Sequence, residues 1–346
     1  MDQRRASPIA ASAAANPVMV EVVRGGTVES RHRGRAVVVD AQGAIVLGWG
    51  AAEEPVFPRS AVKSIQALPL IETGAADASD ASDAEIALAC ASHGGEPRHT
   101  ESAARWLARL GLGEGDLECG PHAPSHAATN EALVRAGQTP CRLHNNCSGK
   151  HTGFLAVARR LGVPTRGYSR ADHPVQALVT AALADMAGVP ASALPVGVDG
   201  CGVPTLGVPL AGLARMMARM ADPSGLAPAR RKAVERIRRA IAAHPGMVAG
   251  EGRLCTALIA ATGGRVLVKT GAEGVFTAAL PAKGWGVALK IDDGGSRASE
   301  VAIIALLRRL GALEEAEAAS LAAFADPGVV NTQGRRVGDI RATLPG

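Results

Sequence analysis

Pro58-Arg59-Ser60-Ala61-Val62-Lys63-Ser64 is the stretch on which the reading of this chain turns. Proline pre-sets the first turn of a helix, and a helix is predicted over residues 59–73, with Pro69 near its end. Ser60 and Lys63 are three residues apart, so on a helix they share a face and the amine can reach the hydroxyl. The same spacing leaves Val62 and Ile65 for a core. A serine hydroxyl attacks well only when a base takes its proton. A lysine at its ordinary pKa of about 10.4 is charged at neutral pH and cannot be that base. Burial and a neighbouring cation favour the neutral amine, and Arg59 and Lys269 are the cations expected to press on Lys63.

On the N-terminal side, residues 18–23, 35–39 and 44–48 are β-branched runs separated by glycine-containing turns, the pattern of an antiparallel meander. Toward the C-terminus, residues 265–269 and 285–291 read as a closing hairpin, residues 298–310 as a last long helix, and the tail beyond as loosely ended. Helices are predicted between, at 100–110, 130–136, 149–161, 174–186 and 210–221, the last carrying Met216, Met217 and Met220 into the core. Residues 83–90 are too short and apolar to be settled by periodicity. Strands at both ends and helices between predict an α+β domain whose antiparallel sheet joins N- and C-terminal strands. Residues 1–17, Ala- and Ser-rich without an apolar core, are expected to be a disordered lead, and 18–346 one domain.

Lys269-Thr270-Gly271 follows the first strand of the closing hairpin. S-x-x-K followed far downstream by K-T-G is the motif set of serine β-lactamases and penicillin-binding proteins. Their middle S-D-N element is absent, and Ser92 in Ala91-Ser92-His93-Gly94-Gly95 is the substitute. Ser60 is then the nucleophile and Lys63 its base. Ser92 and Lys269 form a second pair that relays protons or activates the hydrolytic water, and the amides of Ser60 and Ala272 form an oxyanion hole.

A second cluster is Cys147-Ser148-Gly149-Lys150 with Asp199-Gly200-Cys201-Gly202. Two thiolates and a third ligand suit an open tetrahedral zinc site. Inert buried cysteines, or a Cys147–His151 nucleophile one helical turn apart, are the competing readings.

Composition removes other classes. The net charge is +5, but aromatic residues are only 2%, too few for the stacking platforms of single-strand nucleic-acid binders. The basic run 230–239 reads as a solvated helix face with Val234, Ile237 and Ile241 inward. The six cysteines have irregular spacing and no CxxC pair, which implies no disulfide framework. No apolar run reaches membrane-spanning length, so no membrane or nucleic-acid partner is expected, and the cytoplasm is the default location.

Six stretches taken together resemble the rhizobial-type L-asparaginases, also called class 3 or the asparaginase II family. They are 58–64, 90–93 (Cys-Ala-Ser-His), 119–122 (Cys-Gly-Pro-His), 144–151 (His-Asn-Asn-Cys-Ser-Gly-Lys-His), 199–204 (Asp-Gly-Cys-Gly-Val-Pro) and 269–274 (Lys-Thr-Gly-Ala-Glu-Gly). The resemblance runs from about residue 18 to 310 and implies hydrolysis of L-asparagine to L-aspartate and ammonia. It also implies a serine β-lactamase- and glutaminase-like fold and a homodimer. It puts two Ser–Lys tandems on Ser60/Lys63 and Ser92/Lys269. It puts zinc on Cys147, Lys150 and Cys201, supporting substrate binding rather than acting as Lewis acid. Arg59, His151, Asp199 and Cys255 fall at matching site positions; His93 and Ala272 complete the substrate-binding set. Two readings stand beside it: a β-lactamase-, peptidase- or glutaminase-like hydrolase with the same motifs, and a binding module that keeps the fold without turnover.

Overall fold

The computed structural model describes residues 16–346; the predicted lead lies, up to residue 15, outside the described residues. An eight-stranded sheet is built from strands β1 (Val18–Arg24), β2 (Thr27–Asp40), β3 (Ile45–Trp49), β4 (Leu267–Gly271), β5 (Val275–Leu280), β6 (Trp285–Ile291), β7 (Gly328–Val330) and β8 (Arg336–Ala342). Its order is β7-β8-β1-β2-β6-β5-β4, with β3 also on β2, and every pairing is antiparallel. The expected α+β fold, with one sheet drawn from both ends of the chain, is therefore the one observed. The long β2 makes this possible: residues 27–33 pair with β1, while residues 34–40 pair with β6.

Two expectations are corrected. The closing unit has three strands, not two, because β5 lies between β4 and β6. Its sequence, Val-Phe-Thr-Ala-Ala-Leu, is buried at every position, so it shows no alternation. The tail is not loose: β8 returns to pair with β1, with Val22 opposite Ile340.

Helices α1 (Lys63–Gln66), α2 (Asp83–Ala89), α3 (Ser148–Leu161), α4 (Leu210–Ala221), α5 (Leu254–Ala261) and α6 (Ser296–Arg309) matter most for the site. α4 and α6 both pack on β5 and β6. A Cβ on Gly286 of β6 would lie 2.0 Å from the Ala214 carbonyl oxygen, so only glycine lets α4 come this close. The predicted 59–73 helix is broken into a 3₁₀ turn (Arg59–Val62), α1 and a helix at Leu68–Glu72. Pro69 supplies no N–H at the second break. The ambiguous 83–90 run is helical because Ser82 and Glu85 form a reciprocal capping box. The basic run is a helix, Pro228–Ala243, that buries Val234, Ile237 and Ile241 as expected.

Candidate active site

Three segments converge. The first is the turn carrying Ser60. Arg59 holds φ at +51°, a left-handed conformation that is costly for a non-glycine residue. The second is β4, whose end lies against that turn: a Cβ on Gly271 would stand 2.3 Å from Pro58 O and 2.9 Å from Ala61 N. The Thr277 hydroxyl of β5 ties the two together, 3.2 Å from Ala61 O and 3.1 Å from Lys269 O. The third is the extended segment after α2, where Ser92 N donates to Val248 O and Gly94 N to Ala249 O.

Ser92 is the centre of the arrangement. Its buried hydroxyl oxygen lies 3.1 Å from Lys63 Nζ and 2.9 Å from Lys269 Nζ. Lys63 is wholly buried, and its amine also meets Ala91 O, Asn146 O at 3.4 Å and Cys147 Sγ at 3.0 Å. The Ser60 hydroxyl is not among its partners, so the direct Ser60–Lys63 contact is not made in this structure. Ser60 itself is half-buried, at the start of the same turn.

Lys269 also donates to Thr270 O at 2.9 Å. Burial, and after it the charges of Lys63 and Arg253, lower its amine to about 7, against the opposing pull of Cys255 and Cys147. Its stem passes a small cavity of about 20 Å³ whose lining includes Met217, Met220, Val248 and Leu267. Lys63 thus presses on Lys269. Arg59 faces Asp199, its Nε donating to Asp199 Oδ1.

The thiol cluster forms next door. Lys150 Nζ lies 3.1 Å from Cys201 Sγ, and Cys201 Sγ lies 3.4 Å from Asp199 Oδ2. The Cys201 side chain, ahead of any other group, holds the Cys147 thiol well below its usual range despite burial, with Lys63 and Lys150 acting the same way. Cys201 is pushed up by that same contact and by burial. Burial alone would lower Lys150, but Cys147, Cys201 and Asp199 raise it. Burial raises Asp199 too, and Lys150 and Arg59 outweigh it. The backbone reasons are local: Asp199–Val203 is a tight turn closed at 2.8 Å, with Gly202 at φ +90°. Gly149 lets α3 touch α2, since a Cβ there would stand 2.4 Å from Leu88 O.

The remaining predicted residues fall around these groups. Cys255 on α5 is buried close enough for Lys269 to act on its thiol, which burial raises. Ala272 is exposed on the turn after β4. His93 is buried with both ring nitrogens in use: Gly95 N donates to Nδ1 at 3.2 Å, and Nε2 meets Ser148 Oγ at 2.9 Å. His151 does not pair with Cys147; its Nδ1 lies 2.6 Å from the Tyr168 hydroxyl. All six cysteines are free. Sequence reasoning missed Thr277, Asn146 and Tyr168. Asn146 sits inside a quoted motif, but nothing local marks Thr277 or Tyr168.

Lys63 of the S-x-x-K stretch and Lys269 of the K-T-G stretch thus meet at one buried hydroxyl, that of Ser92. The chain belongs to the L-asparaginase II family, whose model matches residues 20–342. No curated protein matches it. It is similar in shape to a β-lactamase from Mycobacterium bovis (12% identity, 80% of this chain and 94% of that one, TM-score 0.41). It is also similar to the D-alanine carboxypeptidase AmpC from Burkholderia cenocepacia (14%, 81% and 93%, TM-score 0.40). A mutant simvastatin synthase from Aspergillus terreus is a third such likeness (12%, 80% and 93%, TM-score 0.40). No helix among the described residues is long and apolar enough to cross a membrane.

Proposed function

We propose that this protein is an L-asparaginase that hydrolyses L-asparagine to L-aspartate and ammonia through Ser60. The observation that carries the reading is the buried Lys63–Ser92–Lys269 chain beside Ser60, with its far amine lowered to about 7. Near neutrality a large fraction of Lys269 is uncharged. It takes the Ser92 proton while Ser92 takes one from Lys63, and Lys63 is left neutral to receive the Ser60 proton. The Ser60–Lys63 contact tightens when substrate closes the site, as catalytic hydrogen bonds do. Ser60 Oγ attacks the side-chain carbonyl carbon, the C–N bond breaks, and the proton returns through the same chain to the departing ammonia. Water then hydrolyses the acyl-enzyme, its proton taken by Lys63. The amides of Ser60 and Ala272 then hold the oxyanion, a reading supported by the close approach of the end of β4 to the Ser60 turn.

The thiol cluster supports a zinc site. Cys147, Lys150 and Cys201 converge, the two thiols are donors of the soft kind that zinc takes, and Lys150 would have to give up its proton to join them. Zinc bound there would offer one open position to a polar group of the substrate. Asp199, bonded to Arg59, orients that position. The purified protein is expected to carry about one zinc per chain, and Cys147→Ser to lower both zinc content and asparagine affinity. Metal-free protein that keeps full affinity would remove zinc from the account.

Homodimerisation is part of the reading. Val196 and Val198 stand exposed on one face of the short strand before the Asp199 turn, and a second copy would cover them. Ammonia release from L-asparagine, with L-glutamine and a chromogenic β-lactam as competing substrates, tests the activity. Fast ring opening without ammonia from asparagine would favour the β-lactamase-like alternative.

A further inference from the structure

Tyr168 is the chain's only tyrosine and is wholly buried, edge-on to His151 with ring centroids 5.5 Å apart. Its position is over-determined. The Glu118 carboxylate accepts the amides of Gly167 and Ser169, on either side of Tyr168, while Gln176 Nε2 donates to Tyr168 O at 2.9 Å. The phenol oxygen in turn accepts the backbone N–H of Glu118 at 2.8 Å. That bond can run only one way, because an amide only donates.

The phenol's own hydrogen then has one acceptor among the described residues, His151 Nδ1 at 2.6 Å. Were Nδ1 protonated, in either the neutral or the charged ring, the phenol would face two donors and its hydrogen would be stranded in a buried place. Nδ1 therefore accepts, and the ring hydrogen sits on Nε2. That Nε2 is buried and has no partner among the described residues. It belongs to a side chain one helical turn from Cys147 and within range of the charges of Lys150 and Lys63.

We infer that Tyr168 is a positioning residue: it locks His151 as the Nε2–H form, so that a single donor is kept for an oxygen of the bound amino-acid substrate. The substrate part of this inference rests on the function proposed above; the tautomer part does not. Substrate binding supplies the acceptor that the protein withholds.

The test combines spectroscopy and kinetics on the full chain. In ¹⁵N-histidine NMR, with His151 assigned by its loss in His151→Gln, the wild type should show the Nε2–H form. Tyr168→Phe should shift it toward Nδ1–H or a mixture. The same variant should raise KM for asparagine about tenfold, the worth of one hydrogen bond, with kcat changed much less. An Nδ1–H wild type overturns the inference, and so does a folded Tyr168→Phe with unchanged tautomer and KM. If Tyr168→Phe does not fold, the wild-type spectrum alone decides. If asparagine is not turned over at all, the substrate role falls, while the tautomer result still judges Tyr168.

Discussion

Ser60→Ala is expected to lower asparagine turnover by at least about 10⁴-fold, the scale seen when a nucleophile is removed from a covalent hydrolase. The protein should otherwise be intact. Ser60 is half-buried and is not among the partners of Lys63, so its hydroxyl holds nothing together. Zinc content and melting temperature should stay close to wild type. Ser92→Ala is a different case, because it leaves two buried amines without the oxygen between them. It should lower activity and also disturb the fold. Stopped-assay ammonia detection, with circular dichroism on each variant, separates the two serines. A Ser60→Ala enzyme as active as wild type would remove the proposed nucleophile.

Lys269→Met should lower kcat/KM by about 10²- to 10⁴-fold, the usual range for loss of general acid–base help. The wild-type kcat/KM should rise with pH through an acid limb near 7, where the Lys269 amine loses its proton. The sign follows from the direction of the shift. Burial lowers this amine, so the charged form is the disfavoured one and the base appears as pH rises. Stability follows the same sign. Between about 7 and the ordinary lysine value, unfolding takes up a proton, so stability increases with pH across that window. Each pKa unit is worth about 1.4 kcal/mol. Lys269→Met should therefore be the more stable protein at pH 6, by thermal melts, while being the poorer catalyst. An acid limb that survives in Lys269→Met would assign it to another group.

Local chemistry was the legible part of this chain. Ser60, Lys63 and Lys269 announce themselves by spacing, the 210–221 helix by its period, and the Cys147 and Cys201 turns by their glycines. What escaped was either two-sided or long-range. β5 reads as an Ala-rich run because both its faces are buried. β8 escaped because its partner is β1, at the other end of the chain. The Ser82–Glu85 capping box, which the reading of residues 83–90 passed over, decides the helix before Ser92. The pairing inside the site was not legible. Spacing puts Lys63 on the face of Ser60, yet tertiary packing turns its amine toward Ser92, Ala91 and Cys147. Nor does any spacing tell that the Lys269 amine is lowered. That depends on how deeply tertiary packing buries it and on the charges of Lys63 and Arg253 brought near it.

Rapid-quench peptide mass spectrometry after mixing enzyme with L-asparagine reads the attacking atom itself. An aspartyl adduct on the peptide that contains Ser60, absent from Ser60→Ala, is the predicted result. An adduct on the peptide containing Ser92, with the Ser60 peptide unmodified, would contradict it.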